Sequence, residues 1–98
     1  MKWIEMIRLI GQDDSHQTVD GLIVSEKNLI REQGALNAGV YANPFYANDL
    51  CLYFLWDTNN PQLRGSRAGL NISETLKGFG LVEHSVWVPR KQILYACY

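Results

Sequence analysis

The chain has 98 residues and a mass of 11.2 kDa, with nine Lys and Arg against ten Asp and Glu and a formal net charge of −1. Because the basic residues are scattered and balanced by acidic ones, the charge pattern argues against a nucleic-acid partner. Hydrophobic residues make up 47% and charged residues 19%, a composition typical of a folded globular protein and not of a disordered or fibrous one. We therefore expect one domain covering residues 1–98.

The apolar runs and the cysteines indicate the cellular compartment. The longest uninterrupted apolar run, Leu50–Trp56, has seven residues, whereas roughly 20 are needed to cross a bilayer, so no membrane association is expected. Met1 leads directly into a segment with charged residues, which argues against a signal peptide. Cys51 and Cys97 lack CxxC spacing and predict free thiols, with Cys51 as a small buried side chain. These features together predict a cytoplasmic protein.

The first predicted element is a strand over Lys2–Ile10 that is apolar on both faces. One register holds Trp3, Ile7 and Leu9, and the other holds Ile4, Met6 and Ile10. Glu5 and Arg8 are the single charged interruptions of these two registers. A strand of this kind is expected to have apolar neighbours on both sides.

A helix and a hairpin are predicted next. The candidate N-caps of the helix are Asp13, Asp14 and Ser15. Gly34 is well placed to end this helix in the left-handed conformation. A short strand containing Val40 and Tyr41 then precedes the most apolar strand of the chain, Leu50–Trp56.

A second helix and a last strand complete the chain. Ser66 is the predicted N-cap of the helix, which we expect to end at Gly80. The strand Leu81–Val88 follows directly, and Pro89 ends it because proline cannot donate to a strand ladder. The order βαββαβ predicts an α+β, ferredoxin-like fold with an antiparallel four-stranded sheet.

The apolar residues of the strands also predict an assembly. Two helices cover one face of such a sheet, and the chain has no further element for the other face. Since the first and third strands are apolar on both sides, the second face should pack against another copy of the chain. We expect a two-fold homodimer, sheet face to sheet face.

Several segments of the sequence resemble the antibiotic-biosynthesis-monooxygenase-like group. They are the strand Leu50–Asp57 (LCLYFLWD), the tripeptide Arg64-Gly65-Ser66 and the helix exit Phe79–Trp87 (FGLVEHSVW). The resemblance implies a dimeric α+β barrel, in which some members oxidise aromatic substrates with oxygen and no cofactor and others degrade haem. The haem-degrading members use an Asn on the first strand and a His on the second helix, which this sequence lacks. No cofactor is therefore expected.

His84 is the first candidate for catalysis. An imidazole between Val82 and Val86 on one strand face could take a proton from a phenol or an enol. The alternative is a structural histidine whose ring makes one hydrogen bond at a sheet edge or a dimer seam. His16 is a weaker candidate because it precedes the first helix in a polar segment. The two histidines show no metal-ligand spacing, so no metal is expected.

Aromatic and basic residues are the candidates for substrate binding. Tyr53, Trp56 and Trp87 could form the wall of a pocket for a planar molecule, although strand aromatics are more often part of a core or a dimer seam. Tyr53 and Trp56 point to opposite faces by strand parity. Arg64 and Arg67 flank a helix N-terminus, where backbone N–H groups can hold an anion or simply be capped.

Two functions stay open from the sequence. One is a cofactor-independent oxygenase-like enzyme that binds a small aromatic or enolic molecule between sheet and helices, with His84 as base. The other is a non-catalytic dimeric binding or assembly module whose aromatics complete the dimer core. A cavity of several hundred Å³ next to His84 would favour the enzyme.

Overall fold

A computed structural model describes residues 1–12 and 16–94 of the chain. The elements are β1 (Lys2–Gly11), α1 (His16–Glu32), β2 (Ala35–Ala42), β3 (Asp49–Asp57), α2 (Arg67–Leu76) and β4 (Gly80–Trp87). The predicted βαββαβ order is confirmed. The candidate N-caps at 13–15, the side chain of His16 and residues 95–98, including Cys97, lie outside the described part.

The four strands form one antiparallel sheet in the order β2-β3-β1-β4. The two strands that are apolar on both faces, β1 and β3, are therefore its central pair, and β2 and β4 are its edges. Ile7 is aligned with Leu52 of β3 on one side and with His84 of β4 on the other. This register turns alternate residues of all four strands towards the helices.

The core lies between the sheet and the two helices. Its buried strand residues are Trp3, Ile7, Leu9, Leu50, Leu52, Phe54 and Trp56, and its buried helix residues are Val19, Ile30, Ala68, Ile72 and Leu76. The indole rings of Trp3 and Trp56 stack across β1 and β3 with their centroids 5.7 Å apart. Glu5 lies in the same register of β1 and is completely buried among these residues.

The other face of the sheet is called the outer face here. Its largest exposed apolar side chains are Ile4, Ile10, Tyr41, Leu81 and Trp87. Ile4 is 41% exposed and Trp87 is 59% exposed, and the two residues are aligned with each other on β1 and β4. Cys51 also lies on this face and is half-buried with a free thiol, whereas the sequence interpretation made it a buried residue. The outer face thus carries the apolar side chains that the sequence predicts, interrupted by the charged residues Arg8, Asp49 and Glu83.

Two element boundaries differ from the sequence prediction. Gly34 has the predicted left-handed conformation, with φ of 100°, but β2 begins at once at Ala35 instead of near Val40. Helix α2 ends at Leu76 instead of continuing to Gly80, because Gly80 already belongs to β4 and pairs with Gly11. A Cβ at Gly80 would collide with the backbone of β1, which explains the glycine there.

None of the helices in the described ranges has the length and apolar character that crossing a lipid bilayer requires.

Candidate functional site

The centre of the site is the carboxylate of Glu5, which faces the helices from the middle of β1. Its Oε1 accepts hydrogen bonds from Trp56 Nε1 at 3.0 Å and from Ser66 Oγ at 2.6 Å. Its Oε2 accepts from the backbone N–H of Ser66 at 2.9 Å and contacts His84 Nε2 at 2.5 Å. Both oxygens are thus fully used, although the side chain is 0% exposed. A buried carboxylate is stable only with such partners.

The N-terminus of α2 contributes half of these hydrogen bonds. Ser66 is the N-cap of α2, as the sequence predicts, and its Oγ accepts the N–H of Gly69 at 2.9 Å while donating to Glu5. The positive end of the helix dipole and its free N–H groups favour a negative charge at this position. The anion that the segment Arg64–Arg67 binds through its backbone is therefore a carboxylate of the chain itself.

Two glycines let the helix approach this carboxylate closely. A Cβ at Gly69 would overlap the Glu5 carboxylate, and a Cβ at Gly65 would overlap the His84 imidazole. Gly65 also has φ of 110°, which glycine adopts without a steric penalty. The sequence Gly65-Ser66-Arg67-Ala68-Gly69 is thus shaped around the Glu5–His84 pair.

His84 reaches Glu5 diagonally across the sheet. Its partner in the β1–β4 ladder is Ile7, and Glu5 is aligned with Val86, so the two side chains lie on the same face two positions apart. The side chain of His84 is 16% exposed. In the described part of the chain, Nδ1 of His84 has no hydrogen-bond partner. It is not among the fully buried polar atoms without a partner, since Ser73 Oγ is the single such atom there. Nδ1 is therefore not fully buried.

Three of the four hydrogen bonds of the Glu5 carboxyl group have a fixed direction. Trp56 Nε1 and Ser66 N can only donate, and Ser66 Oγ donates to Oε1 while it accepts the N–H of Gly69. The direction of the fourth, between Oε2 and His84 Nε2, follows the tautomer of the imidazole. When Nε2 carries the ring proton, Nδ1 is the basic nitrogen of the neutral imidazole.

The structure brings some of the sequence-predicted site residues together and separates others. His84 and Trp56 both contact Glu5. Tyr53 and Trp87 lie on the outer face, so the sheet separates them from His84. Tyr53 packs against Tyr41 with ring centroids 5.3 Å apart, and Trp87 Nε1 donates to Ser85 Oγ. Strand parity is the reason, because Trp87 is an odd number of residues from His84.

Two clefts border the cluster on the helix side. One, of about 500 Å³, lies between the loop before α2 and the helix itself, and Arg64, Gly65 and Arg67 line it. The other, of about 280 Å³, reaches Trp56, Ser66 and Arg67. Gly65 packs directly against the imidazole, whereas His84 itself is not a lining residue of either cleft. The exposed side chains of Arg64 and Arg67 are therefore near the site without touching Glu5 or His84.

Glu5 is the residue that sequence reasoning missed as a functional candidate. Its signal was present in the sequence, since a carboxylate in the register of Trp3, Ile7 and Leu9 must either leave the core or find partners in it. The partners could not be read from the sequence, because Ser66 and His84 are 61 and 79 positions away.

A second polar group occupies the outer face. Arg8 donates from Nε and Nη2 to the two carboxylate oxygens of Asp49, each at 2.9 Å. These hydrogen bonds lower the pKa of Asp49 to about 2 from its ordinary 3.8, with a further hydrogen bond from Asn43. Asp49 in turn raises the pKa of Arg8, and burial raises the pKa of the Cys51 thiol beside them. The pair lies on the outer face at the end of the sheet where β3 begins, and Glu83 of β4 places a second carboxylate 3.9 Å from Arg8 Nη1.

Within residues 1–12 and 16–94, no three His, Cys, Asp or Glu side chains come together as ligands of a metal ion.

No family model matches the sequence, and no curated protein matches it. Solved structures do match. SnoaB from Streptomyces nogalater, a cofactor-independent oxygenase, has 12% sequence identity and a TM-score of 0.68 over 94% of this chain and 96% of that chain. Rv0793 from Mycobacterium tuberculosis has 16% identity and a TM-score of 0.67 over 96% and 100% of the two chains.

A third similar structure comes from Bordetella bronchiseptica and is provisionally named an antibiotic biosynthesis monooxygenase. It has 10% identity and a TM-score of 0.68, over 95% of this chain and 98% of that chain. Identities this low show a shared fold and leave function to the site. The chain therefore has the fold of the antibiotic-biosynthesis-monooxygenase-like proteins, and the resemblance seen in the sequence is confirmed at the level of the fold.

Proposed function

We propose that the chain is a cofactor-independent oxygenase that acts on a small aromatic or enolic molecule, with His84 as general base. The observation that carries the proposal is the hydrogen bond between His84 Nε2 and the fully buried Glu5 carboxylate. The fold shared with SnoaB, itself a cofactor-independent oxygenase, supports it. A His–carboxylate pair in an apolar interior is a common arrangement for proton transfer.

In this proposal Nδ1 of His84 removes a proton from the substrate. Glu5 fixes the ring so that Nδ1 is the basic atom, and its negative charge stabilises the imidazolium that forms. Ser66 and Trp56 hold the carboxylate in place by three hydrogen bonds. The protein therefore does not have to reorganise when the charge develops, which is a main source of rate enhancement.

Dioxygen is the oxidant in this scheme. Removal of the O–H proton leaves a phenolate or enolate whose carbon forms a C–O bond with O₂, and the resulting peroxide anion takes the proton back from His84. Loss of the C–H proton of that carbon and cleavage of the O–O bond then release water and leave a carbonyl. The substrate loses two hydrogen atoms and gains one oxygen atom, the other oxygen atom leaves as water, and the four electrons given up by the substrate reduce O₂, so the step is balanced.

The cleft lined by Arg64, Gly65 and Arg67 is the proposed substrate site. It is about 500 Å³ in volume, within the usual range for small-molecule sites. His84 does not line it, and Gly65 packs between the cleft and the imidazole, so in this proposal Gly65 must shift before a substrate can reach Nδ1. The two arginines would favour a phenolate, an enolate or a carboxylate on the substrate. Trp56, at the neighbouring cleft, would form part of the aromatic wall.

The proposal includes a homodimer formed through the outer face. With strands about 4.8 Å apart and a rise of about 3.3 Å per residue, the four strands cover a flat area of roughly 500 Å². Protruding side chains make the accessible surface larger than this flat area, so the outer face is of the size of one side of a standard interface, about 800 Å². The exposed Ile4, Leu81 and Trp87 would be covered in such a dimer. The bidentate Arg8–Asp49 pair would fix its register.

Oxygen consumption with a panel of quinols and phenols tests this function. We expect turnover by the wild-type protein and a loss of about 100-fold or more in His84→Ala. Glu5→Gln should also reduce the rate, whereas Glu32→Gln, at an exposed carboxylate near the end of α1, should not. Absence of turnover in a folded wild-type protein would contradict the enzyme and favour the dimeric binding module.

A further inference from the structure

A groove on the opposite side of the molecule from His84 has the features of a separate ligand site. It lies between the face of α1 from Ile23 to Arg31 and residues 35–38 of β2, and its volume is about 310 Å³. We call it the α1–β2 groove. Because β2 and β4 are opposite edges of the sheet, the groove is remote from the Glu5–His84 pair, and the proposed oxygenase chemistry does not use it.

The walls of the groove are apolar and partly open to solvent. Val24 of α1 is 71% exposed and Leu36 of β2 is 55% exposed, and both line it. Leu36 lies at a β-bulge, because the pairing of β2 with β3 shifts between Ala35 and Asn37. A bulge redirects side chains from their regular strand positions. The local backbone therefore keeps an apolar side chain at the surface, beside an apolar helix face.

Two cations line the same groove. Lys27 and Arg31 are one helical turn apart on α1, and both are exposed. Like charges at this spacing destabilise a helix by repulsion. Neither residue forms an ion pair with a carboxylate in the described part of the chain. An anion between the two side chains would remove the repulsion and accept charge-assisted hydrogen bonds from both.

We infer that the α1–β2 groove binds a small amphiphilic anion, such as a medium-chain carboxylate. The apolar chain would lie against Val24 and Leu36, and the carboxylate would bind Lys27 and Arg31. The volume of the groove is at the lower end of the range for ligand sites, which matches a molecule of this size. An apolar body with one anionic end is complementary to both parts of the groove.

Titration of the full-length protein with octanoate and with 1-octanol, followed by the backbone amide signals in NMR spectra, tests this inference. Octanoate should shift the amides of residues 23–38 and saturate, and it should bind about tenfold more tightly than 1-octanol. The double variant Lys27→Gln/Arg31→Gln should lose this tenfold preference while binding 1-octanol unchanged. The control variant Lys77→Gln, which changes an exposed lysine at the C-cap of α2, should bind octanoate like the wild type.

A second variant guards against a folding effect of the double substitution. Val24→Glu adds a negative charge in the groove at an exposed position, and it should weaken octanoate binding without lowering the melting temperature. Equal affinities for octanoate and 1-octanol would overturn the inference. So would shifts confined to the outer face, or unchanged octanoate binding in the double variant or in Val24→Glu. None of these results depends on whether the protein consumes oxygen, so the two proposals can fail separately.

Discussion

Glu5 and His84 are 79 positions apart in the chain and meet at 2.5 Å between Oε2 and Nε2, inside the layer formed by the sheet and α2. The carboxylate is completely buried, while the imidazole keeps a small exposed fraction. The pair thus connects the centre of the core with the surface, and its partners come from the cap of a helix and from a core tryptophan.

Removing the charge of Glu5 should destabilise the protein. Glu5→Gln leaves a buried amide whose NH₂ group faces donors, so at least one buried hydrogen bond is lost at a cost of about 1–3 kcal/mol. Urea unfolding followed by tryptophan fluorescence measures this free energy. The matched variant Glu32→Gln, at an exposed carboxylate of α1, should change the free energy of unfolding by less than about 0.5 kcal/mol. Equal effects of the two variants would show that the buried carboxylate contributes nothing specific.

Two glycine-to-alanine substitutions in helices should have opposite effects. Alanine has a higher helix propensity than glycine by about 1 kcal/mol, and a Cβ at Gly21 of α1 would meet no atom within 4 Å. Gly21→Ala should therefore raise the melting temperature. At Gly69 of α2 the added methyl overlaps the Glu5 carboxylate, and overpacking of this kind costs about 1–3 kcal/mol. A melting temperature that rises in both variants would contradict the close approach of α2 to Glu5.

A charge on the outer face should dissociate the proposed dimer. Ile4 lies on central strand β1 and is aligned with Leu55 and Trp87 on the two neighbouring strands. Ile4→Asp would place a carboxylate in the middle of the interface, where burial without a partner is unfavourable. Sedimentation equilibrium should give twice the chain mass of 11.2 kDa for the wild type and the chain mass for the variant. Val24→Asp, at an exposed position on α1, should remain dimeric; a wild-type monomer at working concentration would refute the dimer.

The Arg8–Asp49 pair should make stability depend on pH in acid. The pKa of Asp49 is about 2 in the folded protein, below its ordinary value of 3.8, so folding favours the ionised form. The stabilisation is complete above 3.8 and is lost as the pH falls towards about 2. We expect the unfolding midpoints of wild type and Asp49→Asn to converge over this interval at low salt. The control Asp20→Asn, on exposed α1, should run parallel to the wild type; a constant offset for Asp49→Asn would argue against the ion pair.

Part of the candidate site could be predicted from the sequence. The sequence alone predicts the Ser66 cap, because a hydroxyl just before an apolar helix stripe can accept a hydrogen bond from a free backbone N–H group of the first helical turn. His84 was readable as a polar residue in an apolar strand register. Tyr53 and Trp87, which were predicted to line the same pocket as His84, lie on the other side of the sheet, because strand parity places both on the outer face.

Periodicity and capping, which act over a few residues, were enough for the sequence to determine the βαββαβ order, the Gly34 and Ser66 caps and the apolar character of both faces of β1 and β3. The meeting of Glu5, Ser66 and His84 was decided by the tertiary structure alone. It depends on the register of β1 against β4 and on the close approach of α2 at Gly69. A slip of one residue in that register would turn His84 to the outer face and leave the buried carboxylate without it.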